Sequence, residues 1–418
     1  MSQKIKLLCV PSDKAGCGLH RSLIPHLKID ELYSEEFDVT IDYHPNWGDL
    51  STFSKYDIIH FHRGLYIDME RFYEILKYCK DNNIVTILDV DDYWDLNQYN
   101  SLFNNKSYLK LSKETANILR LVDGATTTTK LFANKVKKLN KNVKVFPNTL
   151  NLDDTDKFTN KYQSNKIRFG FVMGSSHVHD MELLRGLTNR LPKDILDKIQ
   201  FVLCGFDTNG TMIELLPNGE TSSRPMQPFE TPWFEYEKLI TDGYKLVSTE
   251  YMNHLLRFIP NLEYPLVDRE MYKRCWTKTV DNYEYLEHYN NVDVLLVPLQ
   301  DNDYNNCKSE LKFIEAGATN TAVIASNTGP YTIGSVNFFE KGGLVNKNGN
   351  CILIDNNKAH KDWAKAIEKL VKNPEYITLL QNNMKEHIVK NYDINKITAE
   401  RVEWYKELVK CYGKKEEY

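Results

Sequence analysis

The feature that most constrains the fold is a strand–loop–helix–strand segment in the last third of the chain. Its first strand is Val292–Pro298, an apolar run with the length of a buried strand. A polar loop, Gln300–Cys307, leads into an apolar-periodic helix that begins at Lys308, and a β-branched strand, Thr321–Ala325, follows. This order predicts a βαβ unit with parallel strands. The start of its helix is where α/β folds bind anionic ligands, because free N–H groups and the helix dipole point there.

The same alternation of strand and helix runs through the chain in two series. The predicted strands of the first series are Lys4–Pro11, Phe37–Tyr43, Asp57–His62, Ile84–Val90, Gly124–Thr129 and Val143–Pro147. The second series starts with Ile167–Met173 and Ile199–Cys204, passes through the βαβ unit and continues to Gly349–Ile354. A chain of 418 residues, 42% of them apolar, is too long for one hydrophobic core and can fill two. We therefore predict an α/β protein of two Rossmann-like, doubly wound domains that face each other across a cleft.

The predicted domain boundaries follow from this alternation. The N-terminal domain covers residues 1–149, and a long amphipathic helix at 394–418 completes it. Residues 150–166 are polar without periodicity and form the linker, and residues 167–393 form the C-terminal domain. The alternation breaks at about 206–276, an aromatic-rich stretch that we interpret as an insertion. Long loops in compact domains usually serve function or assembly, so an acceptor platform and a dimer face both remain open interpretations.

Charge and cysteine content exclude several classes of protein. The 53 basic and 57 acidic side chains nearly cancel, so no strong overall field recruits nucleic acid. The eight cysteines have no CxxC or paired spacing, which argues against a disulfide framework or a zinc site and favours a reducing, cytoplasmic location. No signal peptide and no apolar run of membrane-spanning length is visible, so we expect a soluble protein without a transmembrane segment. One set of lysines forms either a patch for phosphate backbone or anionic lipid, or a solvated helix face: Lys130, Lys135, Lys137, Lys138, Lys141 and Lys144.

Four segments resemble glycosyltransferases of the GT-B fold, especially the large retaining family four (glycosyl transferases group 1). Pro298–Tyr331 is similar to the donor-binding helix of these enzymes with its two flanking strands. Phe169–Leu184 is similar to the strand–loop–helix that opens their second domain, and Ala15–Leu27 resembles the glycine loop of their first domain. Leu88–Leu96 resembles an acidic segment of some bacterial and phage relatives. The resemblance covers most of the chain apart from Gly205–Trp276, and it implies the GT-B fold and sugar transfer.

The resemblance also implies a nucleotide-sugar donor site. The family's donor helix presents two glutamates separated by seven residues; the second matches Glu315, whereas the first falls on Cys307. Glu315 suits the two ribose hydroxyls because a carboxylate accepts two hydrogen bonds at once. The competing interpretation is that Glu315 is an exposed acid on an amphipathic helix. Either Glu310 substitutes in part for the missing glutamate, or backbone amides hold the sugar. The residues assigned to donor binding are Gly16, Gly18, Gly174, Ser175, Ser176, His177, Lys308, Ser309, Glu310 and Glu315.

The chemistry of sugar transfer suggests the catalytic residues. Negative charge builds on the departing phosphate, and Lys308 together with the helix dipole near Ser175 can stabilise it. Asp89, Asp91 and Asp92 admit three interpretations: ligands of Mg²⁺ or Mn²⁺, a general base or wall of the acceptor pocket, or an N-terminal helix cap. We assign the catalytic roles to Asp91, Asp92 and Lys308. No metal is required in this assignment, and Mg²⁺ or Mn²⁺ remains open.

These observations predict a hexosyltransferase. It takes a sugar from a nucleotide donor, a UDP-sugar, and passes it to an acceptor hydroxyl, with retention at the anomeric carbon implied by the resemblance. The acceptor classes that remain open are a glycan, a lipid-linked glycan, a protein and a modified base in phage DNA. The competing hypothesis is a catalytically inactive GT-B-like protein that binds a nucleotide or glycan or serves assembly, because Cys307 departs from the family pattern. A homo-oligomer also remains open.

Overall fold

The computed structural model describes residues 3–63, 68–96, 98, 103, 106–207, 209–215, 221–227, 230–241, 271–340 and 343–413. The chain forms two compact units. Unit 1 comprises Met1–Leu152, Asn302–Ile314 and Ile388–Tyr418, and unit 2 comprises Asp153–Asp301 and Glu315–His387. No helix among these described residues is both long enough and apolar enough to span a bilayer.

The elements alternate as expected for an α/β chain. The strands are β1 (Ile5–Val10), β2 (Phe37–Ile41), β3 (Ile58–His62), β4 (Val85–Val90), β5 (Gly124–Thr127), β6 (Val143–Val145), β7 (Ile167–Val172), β8 (Ile199–Phe206), β9 (Thr211–Leu215), β10 (Thr221–Pro225), β11 (Tyr272–Trp276), β12 (Val294–Val297), β13 (Ala322–Ser326) and β14 (Ile352–Ile354). The α-helices are α1 (Gly16–Gly18), α2 (Ile24–Tyr33), α3 (Met69–Asp81), α4 (Lys106–Leu121), α5 (Lys130–Val136), α6 (Leu152–Thr155), α7 (Val178–Met181), α8 (Lys193–Leu196), α9 (Pro232–Thr241), α10 (Asp303–Asn306), α11 (Leu311–Ala318), α12 (Ala359–Lys372), α13 (Glu375–Asn391) and α14 (Ile394–Tyr412).

Unit 1 is built on a parallel sheet with strand order β2-β1-β3-β4-β5-β6. Neighbouring residues of each central strand face opposite sides, because side chains alternate along a strand. Leu8, Ile59 and Leu88 therefore join the core beneath α3, α4 and α5. Leu7, Ile58 and Ile87 join a second core that contains Trp404 and Tyr405 of α14. Burial on both faces explains why these strands read as continuous apolar runs.

Unit 2 contains a second parallel sheet, with strand order β11-β8-β7-β12-β13-β14. Its core packs strand residues such as Phe169, Phe201 and Ile324 against Trp363 of α12. A Cβ atom added at Gly170 would lie 2.3 Å from the Val292 side chain, so this close approach requires glycine. The two sheets confirm the prediction of two Rossmann-like, doubly wound α/β domains.

Four helices differ from the sequence-based expectation. The helix expected to begin at Lys308 begins at Leu311. The helix expected from Leu19 to Leu27 instead begins with α1, continues through the π-helical turn Leu19–Leu23 and ends with α2. The helix expected over Met181–Leu191 is broken into α7 and two 3₁₀ turns. The break lies at Gly186, whose φ of 66° a regular helix does not allow. The helix expected over Tyr283–Tyr289 is a 3₁₀ helix, Asp281–Asn291.

The aromatic-rich stretch at 206–276 is only partly described. β9 and β10 form an antiparallel hairpin, α9 follows, and β11 forms the edge of the unit 2 sheet by pairing with β8. The aromatic residues Phe258 and Tyr264, part of the predicted platform or dimer face, lie outside the described residues.

Candidate functional site

In unit 2, the glycine–serine loop follows directly after β7, at the carboxyl end of the sheet. The Tyr236 hydroxyl donates to the Gly174 carbonyl at 2.8 Å and accepts from the His177 N–H at 3.0 Å. One side chain of α9 therefore fixes both ends of the loop. Gly174, Ser175 and Ser176 are exposed, and a Cβ atom added at Gly174 would meet no atom within 4 Å. The loop presents small residues and backbone groups at a position where α/β folds bind ligands.

Asp180 ties this loop to the neighbouring strand. Its buried carboxylate lies 2.8 Å from His177 Nδ1 and accepts a hydrogen bond from the Gln300 N–H, also at 2.8 Å. Gln300 lies just beyond β12, so the carboxylate bridges the carboxyl ends of β7 and β12. Asp180 and Tyr236 thus position the loop, and neither role was predicted. The contacts of Asp180 with Gln300 and of Tyr236 with Gly174 join residues far apart in sequence, and no local pattern marks them.

Glu315 is one of the most deeply buried acids of unit 2. It lies on α11, is only 1% exposed, and accepts a hydrogen bond from the Tyr289 hydroxyl at 2.5 Å. Burial and the adjacent Glu315 charge raise the pKa values of Tyr285 and Tyr289 well above the usual range. The interpretation of Glu315 as an exposed acid on an amphipathic helix is therefore wrong. A buried carboxylate with hydroxyl donors is held in one orientation, which suits a binding group.

In unit 1, the segment before α11 carries the other residues predicted on the donor helix. Lys308 Nζ lies 5.1 Å from the centre of the Tyr304 ring. Ser309 Oγ accepts a hydrogen bond from Asn148 Nδ2 at 3.0 Å. Glu310 is 3% exposed, and its Oε2 has no hydrogen-bond partner among the described residues. Burial raises the pKa of Glu310 to about 7, against the lowering effect of the Tyr392 hydroxyl and the Arg21 charge.

Cys307 is part of a hydrophobic core. It is 1% exposed and belongs to the unit 1 core beneath α3, α4 and α5. Burial raises the pKa of its thiol to about 12, so the neutral form persists. In the family that this sequence resembles, the corresponding position holds the first glutamate of the donor helix. In this chain it is an apolar core position.

A buried ion pair joins several strands of unit 1. Arg21 Nε and Nη2 donate to the two Asp89 carboxylate oxygens at 2.9 and 2.6 Å. Arg21 Nη1 donates to the Phe146 carbonyl at 2.7 Å and to Asn148 Oδ1 at 3.0 Å. Since Asn148 in turn binds Ser309, a continuous hydrogen-bond chain runs from Asp89 to the segment before α11. Asp89 is committed to this network, which the sequence did not predict.

The predicted catalytic acids lie at the carboxyl end of the unit 1 sheet. Arg63 follows β3 with a φ of 58° and donates to both Asp91 and Asp92, the latter at 2.6 Å. His62 Nε2 lies 3.5 Å from Asp91 Oδ1, and His62 Nδ1 lies 3.0 Å from Ser12 Oγ. Burial opposes ionisation of Asp91, but the Arg63 charge outweighs it and keeps the pKa of Asp91 well below its usual range. Asp91 is therefore an anion at neutral pH.

The predicted glycine loop of unit 1 holds an internal anion. Asp13 Oδ1 accepts hydrogen bonds from the Ala15 N–H at 2.9 Å and the Gly18 N–H at 3.0 Å. A Cβ atom added at Gly18 would lie 2.0 Å from the Asp13 carbonyl oxygen, so glycine is required there. Gly16 has open space at the same point. The Asp13 carboxylate thus already occupies two amides of the turn that was predicted to contact the donor.

One group of potential metal ligands exists within the described part of the chain, and it is not the acidic segment. Cys9, His26 and His60 are fully buried, and their ligand atoms lie within 4.8 Å of one another. Burial lowers the pKa of His26 to about 3, while that of Cys9 rises, so both are neutral at pH 7. His26 instead contacts the Ser22 carbonyl at 2.7 Å and the Tyr405 hydroxyl at 3.2 Å.

Comparison with known proteins identifies the class of fold. No protein-family model and no curated protein sequence matches the chain. Among solved structures, HepE of Anabaena in complex with UDP-glucose is 11% identical, with a TM-score of 0.57 and coverage of 96% of this chain and 100% of HepE. The catalytic domain of starch synthase IV from Arabidopsis thaliana, bound to ADP and acarbose, is 10% identical, with a TM-score of 0.56 and coverage of 98% and 100%.

A third similar structure is an α-glucosyltransferase in complex with UDP and a 13-mer DNA that contains an HMU base. It is 12% identical to this chain, with a TM-score of 0.55 and coverage of 97% of this chain and 100% of the enzyme. All three are glycosyltransferases of the GT-B fold. This chain has the GT-B fold, which confirms the fold expected from the sequence.

Proposed function

We propose that this protein is a glycosyltransferase that moves a hexose from a UDP-sugar to an acceptor hydroxyl, with retention at the anomeric carbon. The observation that carries the proposal is the GT-B fold over nearly the whole chain, shared with proteins whose structures hold UDP-glucose or UDP. Fold alone does not assign activity, so the proposal also rests on the two groups of residues at the carboxyl ends of the sheets.

Residues of unit 2 are proposed to bind the nucleotide. Glu315 is proposed to bind the ribose, because its carboxylate already accepts from the Tyr289 hydroxyl and a carboxylate suits hydroxyl donors. The loop of Gly174, Ser175 and Ser176 is exposed and offers backbone N–H groups and hydroxyls to the diphosphate. Its shape is held by Tyr236, which reduces the ordering needed on binding.

Residues of unit 1 are proposed to supply charge for the transfer. Lys308 contributes positive charge to the departing phosphate, whose developing negative charge needs preorganised stabilisation. Asp91 and Asp92 are proposed to accept hydrogen bonds from the acceptor, because Arg63 holds both carboxylates in place. The low pKa of Asp91 suits a hydrogen-bond acceptor better than a general base that must hold a proton at neutral pH.

The transfer is proposed to proceed without an obligatory metal ion. Asp89 is bound by Arg21, and Asp91 and Asp92 are bound by Arg63, so each carboxylate already has a cationic partner. UDP release measured with EDTA and with added Mg²⁺ or Mn²⁺ tests this. Activity that survives EDTA supports the proposal, and activity that depends on added metal contradicts it.

The donor site is tested by measuring donor affinity and UDP release. A calorimetric screen of nucleotide sugars identifies the donor, and Glu315→Gln is then expected to weaken donor binding at least tenfold, since a charge-assisted hydrogen bond contributes roughly 1.5–3 kcal/mol. Glu284→Gln removes an exposed acid from the same unit and serves as the control. No binding of any nucleotide sugar, or equal loss in both variants, would contradict the proposal.

The acceptor is proposed to be a hydroxyl of a glycan, a lipid-linked glycan, a protein or a hydroxylated DNA base. A panel of the four classes with the identified labelled donor distinguishes them by transfer of label. The burial of Cys307 favours one second candidate function, a nucleotide- or glycan-binding protein without transferase activity. Tight donor binding with no UDP release above background and no transfer to any acceptor would support that candidate.

A further inference from the structure

Two cysteines of unit 2 lie side by side at one edge of its sheet. Cys204 on β8 is the register partner of Cys275 on the neighbouring parallel strand β11. Neighbouring strands lie about 4.8 Å apart, and the Cα atoms of a disulfide lie about 4.4–6.8 Å apart. The two backbones therefore already have a separation that a disulfide can bridge. The two residues are far apart in sequence, so their spacing along the chain does not indicate the pairing.

Both cysteine side chains lie on the same face of the sheet. Leu203 and Tyr272 belong to the unit 2 core on one face. Cys204 follows Leu203, and Cys275 is an odd number of residues from Tyr272, so the alternation of side chains places both cysteines on the opposite face. There the Cys204 Sγ atom lies 3.8 Å from the His288 carbonyl oxygen. The Cys275 thiol has hydrogen bonds with the Cys204 thiol and with the His288 side chain. The two sulfur atoms therefore share one environment.

The two thiols differ in exposure and in acidity. Cys204 is fully buried, whereas Cys275 is partly exposed. The hydrogen bond with the Cys204 thiol lowers the pKa of the Cys275 thiol against the effect of burial, and His288 and the Lys273 charge act in the same direction. The thiolate is the form of cysteine that attacks a disulfide. Cys275 is therefore suited to attack an external disulfide, and Cys204 is placed to resolve the product.

The cysteine pair stands at the two ends of the insertion. Gly205 follows Cys204 and Arg274 precedes Cys275, so a bond between the two sulfur atoms would close the intervening chain into a loop. β11 is the edge strand of the sheet, and its register with β8 shifts directly after Cys275. An edge strand with an irregular register has fewer partners to displace when it moves. The strand can therefore bring the two sulfur atoms from hydrogen-bond distance to the disulfide bond length of about 2.05 Å.

We propose that Cys204 and Cys275 form a reversible disulfide that closes the insertion of unit 2. The oxidant is a low-molecular-weight disulfide of the glutathione class. The Cys275 thiolate attacks one sulfur of that disulfide, which releases one small thiolate and leaves a mixed disulfide on Cys275. The Cys204 thiol then loses its proton to solvent and attacks the Cys275 sulfur, which releases the second small thiolate. Two electrons pass from the cysteine pair to the oxidant, and an excess of the reduced small thiol reverses both steps.

A reversible bond agrees with the reducing location expected from the sequence, because disulfides in such compartments are typically transient and redox-sensing. The inference is independent of the proposed transfer reaction, since neither cysteine is assigned to the donor or the acceptor site.

The test equilibrates the folded full chain with oxidised and reduced glutathione, alkylates the remaining thiols and maps the peptides by mass spectrometry. The background protein is Cys411→Ser, which removes the exposed thiol. In excess oxidised glutathione we expect each chain to lose two free thiols and to yield a peptide that links Cys204 to Cys275. Excess reduced glutathione should restore both thiols.

Variants in the same background assign the two roles. Cys204→Ser removes the resolving thiol, so Cys275 should retain glutathione as a mixed disulfide. Cys275→Ser should leave the buried Cys204 reduced. Cys351→Ser removes another buried cysteine of unit 2 and should not change the outcome.

The mapping with both cysteines in place decides the outcome even where a variant fails to fold. Thiols that all stay reduced in excess oxidised glutathione would overturn the proposal, as would an intrachain disulfide between other cysteines. A linked peptide that excess reduced glutathione does not return to two thiols would overturn the reversibility.

Discussion

Glu310 makes the stability of unit 1 depend on pH in the direction opposite to that of a salt-bridged acid. Its pKa rises from 4.5 to about 7 on folding, because burial disfavours the carboxylate. The folded state therefore binds the proton more tightly than the unfolded state. The resulting stabilisation is fully present below pH 4.5 and is lost as the pH rises through 7. A pKa difference of one between the two states corresponds to about 1.4 kcal/mol, so the total is about 3 kcal/mol.

The perturbation is Glu310→Gln, which keeps the size of the side chain and removes its titration. Near pH 4 the variant and the wild type should have similar free energies of unfolding, since the Glu310 side chain is then largely neutral in both the folded and the unfolded state. Near pH 8 the variant should be more stable, by up to about 3 kcal/mol, because the wild type must bury a charge. Chemical unfolding of the full chain, followed at several pH values between these limits, measures the difference.

Other groups titrate in the same range, and the comparison between the two proteins removes their effect. His26, with a pKa lowered to about 3, contributes stability that increases with pH in both proteins. A Glu284→Gln variant controls for loss of an acid at an exposed position. A stability difference that stays constant from pH 5 to 8 would refute the assignment of a raised pKa to Glu310. The infrared band of a protonated carboxyl, present near pH 6 and absent in the variant, provides an independent check.

Two further predictions concern the residues that hold the candidate sites in place. Tyr236→Phe removes both hydrogen bonds that fix the loop at Gly174 and His177. Donor affinity measured by calorimetry should fall about tenfold, and the free energy of unfolding should fall by roughly 1–3 kcal/mol. Unchanged donor affinity would show that the loop does not contribute to donor binding. Arg21→Met leaves the Asp89 carboxylate buried without its partner and should cost about 3–5 kcal/mol in unfolding free energy. Adding Asp89→Asn should recover most of that loss, and a double variant as unstable as the single one would show that the ion pair is not the cause.

The strands of both sheets were predictable because their signal is local. A run such as Ile84–Val90 is apolar on both faces, and the structure places it as β4 with one face in each core. Helix boundaries were less predictable where one glycine decides the outcome. Gly186 adopts a positive φ and interrupts the expected helix over Met181–Leu191, although the apolar spacing on either side is helical.

The residues of the candidate site were predictable only where the local sequence around a single residue indicates its role. The burial of Glu315 agrees with its place on an apolar helix that ends in a short glycine–alanine sequence. The roles of Arg21 and Tyr236 were not predicted, because each depends on partners more than 50 residues away in sequence, such as Asp89 and Gly174. Pairings of this kind are set by the fold and leave no periodic pattern in the sequence.

The place of Cys307 in the core has a consequence for any redesign of this chain toward the family that its sequence resembles. A Cys307→Glu substitution would restore the pair of acids spaced as in that family, yet it would put a carboxylate among Phe132 and its apolar neighbours. A single substitution at this position would therefore destabilise the core of unit 1 rather than add a polar contact. Installing an acid there would need compensating changes among the apolar side chains that now surround Cys307.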